Sequence, residues 1–321
     1  MKIGVIGFGS IGKRHCENLI NLGFNDITLL RNKNRGNVFG LNEIFNEKDF
    51  LSIPFDFIIL SNPPFLHFTY LKKLIIMQHN ILVEKPIVAT QEEANIINKL
   101  LEQYYGIGMC GYNLRFHPCV SKIHELLSNN KMGRIYSARF FVGQYLPDWR
   151  PNYDYREFYS AKSHLGGGVI LDLIHEIDLA CFLIGKVKKN FHSIVGKLST
   201  LDIETEDIAE IHYQTDNNTL VSIHLDYLTP GYSRYFELVC EKGRVFCDLF
   251  NAEIKIITYN NVVSDFYKFK KFNRNDMYVA LIRYFINCII TKTQAKPSLV
   301  DGLESLNIAL KAKSFWKNNE N

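Results

Sequence analysis

The sequence contains no long apolar run, no block of basic residues and no cysteine spacing typical of a metal site. No stretch of its 321 residues approaches the apolar length needed to cross a bilayer, so we expect no membrane partner. The 37 Lys and Arg residues are scattered and the net charge is only +4, which argues against nucleic-acid binding. The seven cysteines form no CxxC pair. We therefore predict reduced thiols in a cytoplasmic protein and no bound metal.

Length and composition indicate a globular protein of two domains. A chain of 321 residues is long for a single hydrophobic core, and 47% hydrophobic with 22% charged residues is an ordinary balance. We place a nucleotide-binding domain at residues 1–117 and a second α/β domain at residues 118–321.

A glycine-rich turn connects the first apolar strand, Lys2–Ile6, to a segment with helical spacing that reaches about Leu22. The turn consists of Gly7, Phe8, Gly9, Ser10, Ile11 and Gly12. A GxGxxG motif between a strand and a helix predicts dinucleotide binding, because glycines let the backbone approach a pyrophosphate at the helix N-terminus. The alternative is a glycine-rich turn that binds no ligand.

The residues after the second strand bear on the choice between NAD and NADP. An NAD site usually has Asp or Glu there to bind both ribose hydroxyls, but this chain has Arg31, Lys33 and Arg35. Arg31 with Lys33 or Arg35 can pair with a 2′-phosphate, so we predict NADP, with NAD as the other possibility. The alternative is a solvated basic loop.

Strands and helices alternate through the first 110 residues. The pattern predicts strands at 26–30, 55–60, 80–83 and 106–110, with helices at about 65–77 and 91–104. Such repetition is typical of a doubly wound parallel sheet that binds its ligand beyond the carboxyl ends of the strands. Gly7, Asn62, Lys85 and Gly111 follow such ends, so we expect them to lie together.

Residues 166–178 read as a glycine turn that continues directly into a helix. At about 100° per residue, Asp172, His175 and Asp178 fall within a sector of about 120°. An imidazole between two carboxylates in apolar sequence is typical of a proton acceptor. The alternative is a core helix whose polar side chains hydrogen-bond locally.

Residues 134–146 alternate like a strand and lead into a loop, 147–159, with five aromatic residues and two arginines. Such a loop often lines a substrate-binding site. Its aromatic rings can lie against the apolar face of a pyranose, and its arginines can bind a carboxylate or phosphate. A packed aromatic loop is the alternative. The candidate substrate-binding residues in and beside it are Tyr145, Trp149, Arg150, Tyr153 and Arg156.

The sequence between residues 187 and about 270 contains six short strand-like segments separated by turns, which predicts an antiparallel meander. Two helices follow, at about 276–290 and 303–316, and we expect the last to pack back on the nucleotide-binding domain.

Four motifs in this order resemble the glucose–fructose oxidoreductase/inositol dehydrogenase/rhizopine catabolism family, Gfo/Idh/MocA. They are the glycine turn, Glu84-Lys85-Pro86, the segment from Gly111 to Phe116, and the Gly-Gly-Gly…Asp172…His175…Asp178 segment. Residues 61–67, which end at His67, also resemble a family segment. The similarity covers essentially the whole chain.

The resemblance implies a Rossmann domain followed by an α/β domain with a large, open, mostly antiparallel sheet that pairs copies into homodimers or homotetramers. It also implies hydride transfer between NAD(P) and a secondary hydroxyl or keto group of a sugar or sugar derivative. Lys85, Asp172 and His175 are the implied catalytic residues, and they also bind substrate together with Arg115. Besides the glycine turn, Arg31 and Lys33, the implied cofactor-binding residues are Ser61, Asn62, Pro63, His67, Glu84, Lys85 and Asn113.

The sequence departs from the family pattern between Asp172 and His175, which are three residues apart where most members have four. The departure leaves open whether Asp172 or His175 occupies the usual catalytic place. The shortened form resembles enzymes of bacterial surface-sugar pathways, so a phosphorylated, nucleotide-linked or acidic sugar is the expected substrate. Two other functions stay open: a non-catalytic NADP sensor, and a sugar isomerase or redox-assisted glycosidase that recycles its cofactor.

Overall fold

The computed structural model describes residues 1–33 and 39–319, and the chain divides into two compact units. The first comprises Met1–Asn113 and Asn275–Glu304, and the second comprises Leu114–Arg274 and the chain from Ser305 onward.

Within the described residues, the first unit contains a six-stranded parallel sheet in the order β3-β2-β1-β4-β5-β6. Three of its strands are four-residue apolar runs that are buried throughout, as expected for a parallel sheet covered on both faces. The strands are β1 (Ile3–Ile6), β2 (Ile27–Leu30), β3 (Asn42–Ile44), β4 (Phe57–Leu60), β5 (Ile81–Val83) and β6 (Gly108–Cys110).

Two helices of the first unit, α2 and α4, begin at side-chain caps. Asn46 accepts hydrogen bonds from two backbone N–H groups at the start of α2, and Thr90 with Glu93 forms a capping box at the start of α4. The helices of the first unit are α1 (Ser10–Asn21), α2 (Glu47–Leu51), α3 (His67–Ile76), α4 (Gln91–Leu101) and α8 (Arg274–Thr291), of which α8 belongs to this unit from Asn275. Phe285 of α8 packs edge-on against Phe57 of β4, with ring centroids 5.5 Å apart.

The second unit contains an eight-stranded sheet in the order β14-β13-β12-β11-β7-β10-β9-β8 among the residues that are described. Its burial alternates along the strands, as in a sheet with one covered face. The strands are β7 (Ile135–Gln144), β8 (Lys189–Gly196), β9 (Ile208–Gln214), β10 (Leu220–Asp226), β11 (Tyr232–Cys240), β12 (Gly243–Asp248), β13 (Glu253–Ile257) and β14 (Val263–Lys268). The remaining helices are α5 (Pro118–Ser128), α6 (Val169–Asp172), α7 (His175–Leu183) and α9 (Leu299–Asn319), whose first turns belong to the first unit.

The predicted fold class, a doubly wound parallel sheet followed by a mostly antiparallel one, is confirmed. The predicted continuous meander is wrong at one point, because β10 and β11 are not neighbours. β7 lies between them, parallel to β10 and antiparallel to β11. Its buried Ala138, Phe140 and Val142 form the middle of the covered face. The sequence analysis also missed β3 and α2.

Candidate active site

The three glycines of the first turn occupy different environments. Gly7 has φ +94°, and a Cβ there would lie 2.5 Å from the backbone N of Asn62. A Cβ on Gly12 would lie 2.2 Å from the Gly7 carbonyl oxygen. A Cβ on Gly9, by contrast, would meet no described atom within 4 Å. The backbone therefore closes tightly at Gly7 and Gly12 and leaves open space at Gly9.

The N-terminus of α1 faces this space without a side-chain cap. Gly9 is the N-cap residue and has no side chain to satisfy the first N–H groups of the helix. Such N–H groups, with the helix dipole, attract an anion.

The end of β4 adds a buried amide beside the turn. The Ser61 hydroxyl donates to the Gly7 carbonyl oxygen at 3.0 Å. Asn62 is 8% exposed, and neither the nitrogen nor the oxygen of its side-chain amide has a hydrogen-bond partner among the residues described. A buried amide in that state favours a polar ligand at this edge of the sheet.

His67 connects the ends of β4 and β5. It is fully buried, with Nδ1 2.8 Å from the Pro86 carbonyl oxygen and Nε2 2.8 Å from the Asn62 carbonyl oxygen. Burial lowers the pKa of His67, which favours the neutral ring despite the two carbonyls. His67 therefore fixes the backbone on which Asn62 and Lys85 are carried.

Glu84 and Lys85 follow β5, and Glu84 is held by a histidine on α1. The Nε2 atom of fully buried His15 lies 2.7 Å from Oε1 of Glu84. A Cβ on Gly111, which follows β6, would lie 3.0 Å from the Glu84 carboxylate. Asn113, two residues further on, is also buried. The expected clustering of Gly7, Asn62, Lys85 and Gly111 agrees with the strand order, since β1, β4, β5 and β6 are successive neighbours.

A cavity of about 390 Å³ begins at the glycine turn and continues past the end of β2. Arg31 and Lys33 line it together with Phe8 and Pro63. The Arg31 guanidinium lies 5.2 Å from the centroid of the Phe8 ring, and its Nη1 is 2.6 Å from Oε1 of Glu43. Arg31 is thus paired with a carboxylate that the sequence analysis did not include. Arg35 lies outside the described residues.

The predicted helix over residues 166–178 is wrong in one respect, because it is interrupted. α6 ends at Asp172, Leu173 leaves helical geometry with ψ 25°, and α7 begins at His175. The Glu176 N–H reaches back only to the Leu173 carbonyl, a tighter turn than in an α-helix. Asp172, His175 and Asp178 therefore do not share one helical face as the sequence predicted.

Asp172 is enclosed by two tyrosines of its own unit. The Tyr227 hydroxyl donates to Oδ2 of Asp172 at 2.7 Å, and Tyr159 also hydrogen-bonds this carboxylate. Burial, then the Asp172 charge, raises the pKa of both phenols far above the usual range. Both tyrosines therefore stay protonated and donate to Asp172.

Asp178 belongs to a different group. Its carboxylate accepts two hydrogen bonds from Arg115, at 2.9 and 2.7 Å, and one from the Ser305 hydroxyl at 3.2 Å. Arg115 is 9% exposed in its side chain and lies over the Phe182 ring. Its role in substrate binding stays a prediction. His175 itself is partly exposed at the start of α7.

The aromatic loop contains both packed and exposed side chains. Trp149 donates from Nε1 to the Gln144 carbonyl oxygen and lies edge-on to the Tyr227 ring at 5.4 Å. Arg150 lies over the Phe158 ring, and exposed Arg156 is paired with Asp154. Tyr145 and Tyr153 are 38% and 70% exposed. Trp149 thus touches the tyrosine that holds Asp172.

The sequence did not predict four residues that contact candidate site residues. They are Glu43, which pairs with Arg31, Tyr227 and Tyr159, which surround Asp172, and His15, which contacts Glu84. Tyr227 lies in the region predicted only as an antiparallel meander, and Glu43 lies on a strand that was not predicted. His15 could have been predicted, because it lies on the predicted helix directly after the glycine motif.

The described residues contain no cluster of three or more His, Cys, Asp or Glu side chains arranged to hold a metal ion. In the same part of the chain, no helix has both the length and the apolar character to span a membrane.

Comparison with known families identifies the chain. Residues 1–112 match an oxidoreductase family with an NAD-binding Rossmann fold, and residues 120–246 match the GFO/IDH/MocA C-terminal domain. The protein belongs to the GFO/IDH/MocA family of oxidoreductases.

Characterised relatives include sugar and inositol dehydrogenases. The chain is 25% identical to glucose-6-phosphate 3-dehydrogenase of Bacillus subtilis (strain 168) over 234 residues, which is 69% of this chain and 66% of that protein. It is 22% identical to myo-inositol 2-dehydrogenase of Thermotoga maritima over 275 residues, 80% of this chain and 78% of the relative.

Solved structures share the fold. Levoglucosan dehydrogenase in complex with NADH and levoglucosan superposes with a TM-score of 0.86 at 17% identity, over 98% of this chain and 97% of that one. UDP-N-acetylglucosamine 3-dehydrogenase from Acidithiobacillus ferrooxidans gives a TM-score of 0.80 at 19% identity, over 99% and 98% of the two chains.

Proposed function

We propose that the protein transfers hydride reversibly between the nicotinamide of NAD(P) and a secondary hydroxyl or keto group of a sugar or sugar derivative. The main observation behind this proposal is that the glycine turn is open and lies at the same edge of the sheet as Lys85. At this edge the space that a Cβ on Gly9 would enter is open, and the N-terminus of α1 has no side-chain cap. The Asn62 amide is buried there without a hydrogen-bond partner among the described residues.

These residues fit a dinucleotide. The N–H groups at the start of α1 would receive the pyrophosphate, and the cavity lined by Phe8 and Arg31 would receive the adenosine end. Asn62 would offer both a donor and an acceptor. When bound, the nicotinamide ring supplies or accepts the hydride.

Lys85 and His175 carry the proton chemistry in this proposal. During oxidation His175 accepts the hydroxyl proton while the hydride leaves the carbon, and during reduction it returns that proton. Lys85 donates a hydrogen bond to the same oxygen and stabilises its developing negative charge.

Asp172 has a supporting role in this scheme. Because two tyrosine hydroxyls already donate to its carboxylate, we assign it to orienting His175 or to holding a neighbouring substrate hydroxyl.

The proposed substrate is a sugar bearing a phosphate, a nucleotide or an acidic group. Relatives are named for glucose 6-phosphate, inositol, levoglucosan and a nucleotide sugar. Arg150 in the loop 147–159 supplies positive charge and Trp149 supplies an aromatic face, whereas the charge of Arg156 is already paired with Asp154.

We propose NADP as the preferred cofactor, because Arg31 and Lys33 could bind its 2′-phosphate. The bond from Arg31 to Glu43 reduces the charge available to a 2′-phosphate. Titration of NADPH and NADH side by side tests the choice, and tighter NADH binding would contradict it.

The test of activity begins with a screen of phosphorylated, nucleotide-linked and acidic sugars, followed at 340 nm. With the substrate found, Lys85→Ala and His175→Ala should each lower kcat by about 10²–10⁴-fold, with a smaller effect on cofactor affinity. Lys72→Ala and His164→Ala, at exposed positions of the same two units, are the matched controls. Near wild-type turnover in both catalytic variants would refute the assignment.

The same assay separates the rival functions. A sensor would bind the cofactor and convert no sugar, whereas an isomerase or redox-assisted glycosidase would change the sugar without net formation of reduced cofactor. Stoichiometric reduced cofactor supports plain dehydrogenation.

A further inference from the structure

The Arg31–Glu43 pair lies where the two nicotinamide cofactors differ. Arg31 is the first residue after β2, and its backbone N–H donates to the carbonyl oxygen of Ile44, at the end of β3. β2 and β3 run parallel with Leu29 opposite Glu43, so the carboxylate is carried on the strand next to Arg31.

The pair is nearly buried and well fixed. The Arg31 and Glu43 side chains are 9% and 10% exposed, with Nη1 and Oε1 2.6 Å apart. The guanidinium also lies over the Phe8 ring, which in turn lies edge-on to Phe39 at 5.9 Å. Because water screens a pair at this depth poorly, the carboxylate cancels much of the arginine charge.

This cancellation affects the two cofactors unequally. A 2′-phosphate carries close to two negative charges and binds arginine through charge-assisted hydrogen bonds. It would have to share Arg31 with Glu43 and would also be repelled by the Glu43 carboxylate. A ribose with free hydroxyls carries no such charge, so its binding depends little on that carboxylate.

We propose that Glu43 is a specificity-determining residue that restrains Arg31 and lowers the preference of this protein for NADP over NAD. The inference rests on the proposed function only in requiring that the first unit binds a nicotinamide dinucleotide. It does not depend on the substrate or on the catalytic roles of Lys85 and His175.

The test is a calorimetric titration of NADPH and NADH into the wild-type protein and Glu43→Gln, without substrate. Glutamine keeps the size of the side chain and one acceptor oxygen for Arg31, so the change removes the negative charge with little change in shape. We expect the ratio of the NADH Kd to the NADPH Kd to rise about tenfold, chiefly through tighter NADPH binding. Glu43→Ala serves as the second variant if the glutamine protein does not fold.

Glu47→Gln is the matched control. Glu47 lines the same cavity but is paired with Lys73 instead of Arg31, so its removal should change the ratio by less than about threefold. In the Arg31→Ala background, Glu43→Gln should give a smaller rise, because only the direct repulsion between Glu43 and the 2′-phosphate is then relieved.

Equal ratios in wild type and Glu43→Gln, or equal shifts in the Glu43 and Glu47 variants, would overturn this inference and leave the proposed function intact. Failure of every variant and the wild type to bind either dinucleotide would overturn both.

Discussion

Two glycine turns in this chain each lead into a helix, and they differ in what occupies the helix N-terminus. At Gly7–Gly12 the first N–H groups of α1 have no side-chain cap, and the space at Gly9 is open among the described residues. At Gly166–Gly168 the Ile170 N–H donates to the Glu206 carboxylate, and a Cβ on Gly168 would lie 2.3 Å from that carboxylate.

The second turn is therefore filled by the protein itself. Glu206 is fully buried, and its carboxylate lies 3.2 Å from Nζ of Lys313, which also donates to the Gly167 carbonyl oxygen. Burial raises the pKa of Glu206, and Lys313 acts in the opposite direction. The chain thus places a carboxyl group of its own at the second turn.

Glycine before a helix therefore has two distinct uses in this chain. In the first turn a glycine faces open space among the described residues, whereas in the second the glycines leave room for protein backbone and a buried carboxylate. The two uses differ in whether a Cβ added at the glycine would meet open space or protein atoms. The sequence pattern alone does not distinguish them.

The largest expected effect comes from Gly167→Ala. A Cβ there would lie 2.0 Å from the Tyr159 carbonyl oxygen, so backbone must move. We expect the free energy of unfolding to fall by about 3 kcal/mol or more, measured by chemical denaturation. An unchanged denaturation midpoint would mean that the second turn is not filled as described.

A smaller effect is expected from Tyr227→Phe, which removes the hydroxyl that donates to Asp172 at 2.7 Å. Asp172 keeps Tyr159 as a donor, so the loss should be about 1–2 kcal/mol of unfolding free energy. Tyr136→Phe is the control, because Tyr136 is 44% exposed in the same unit. Equal losses in the two variants would contradict the enclosure of Asp172 by tyrosines.

The first turn was predictable because its determinants are local. Strand, glycine spacing and helix follow one another within the first 22 residues, and the parallel sheet then sets Asn62 and Lys85 at neighbouring strand ends. Fold class followed from the same alternation of strands and helices.

The features that sequence reasoning missed depend on distant partners. Nothing in the apolar pair Leu173-Ile174 signals a helix break, and Asp172 is held by Tyr227, 55 residues further on. The position of β7 between β10 and β11 likewise depends on pairing across about 80–100 residues, which local periodicity does not encode.

The most direct test of the account is calorimetric titration of NADH and NADPH into Gly9→Ala beside the wild-type protein. Gly9 has φ −76°, which alanine adopts freely, so the free energy of unfolding should change by less than about 0.5 kcal/mol. We predict dinucleotide affinity at least about tenfold weaker than wild type, because the new methyl group enters the space that we propose for the pyrophosphate. Undiminished affinity in this variant would contradict the claim that the open turn is the cofactor site.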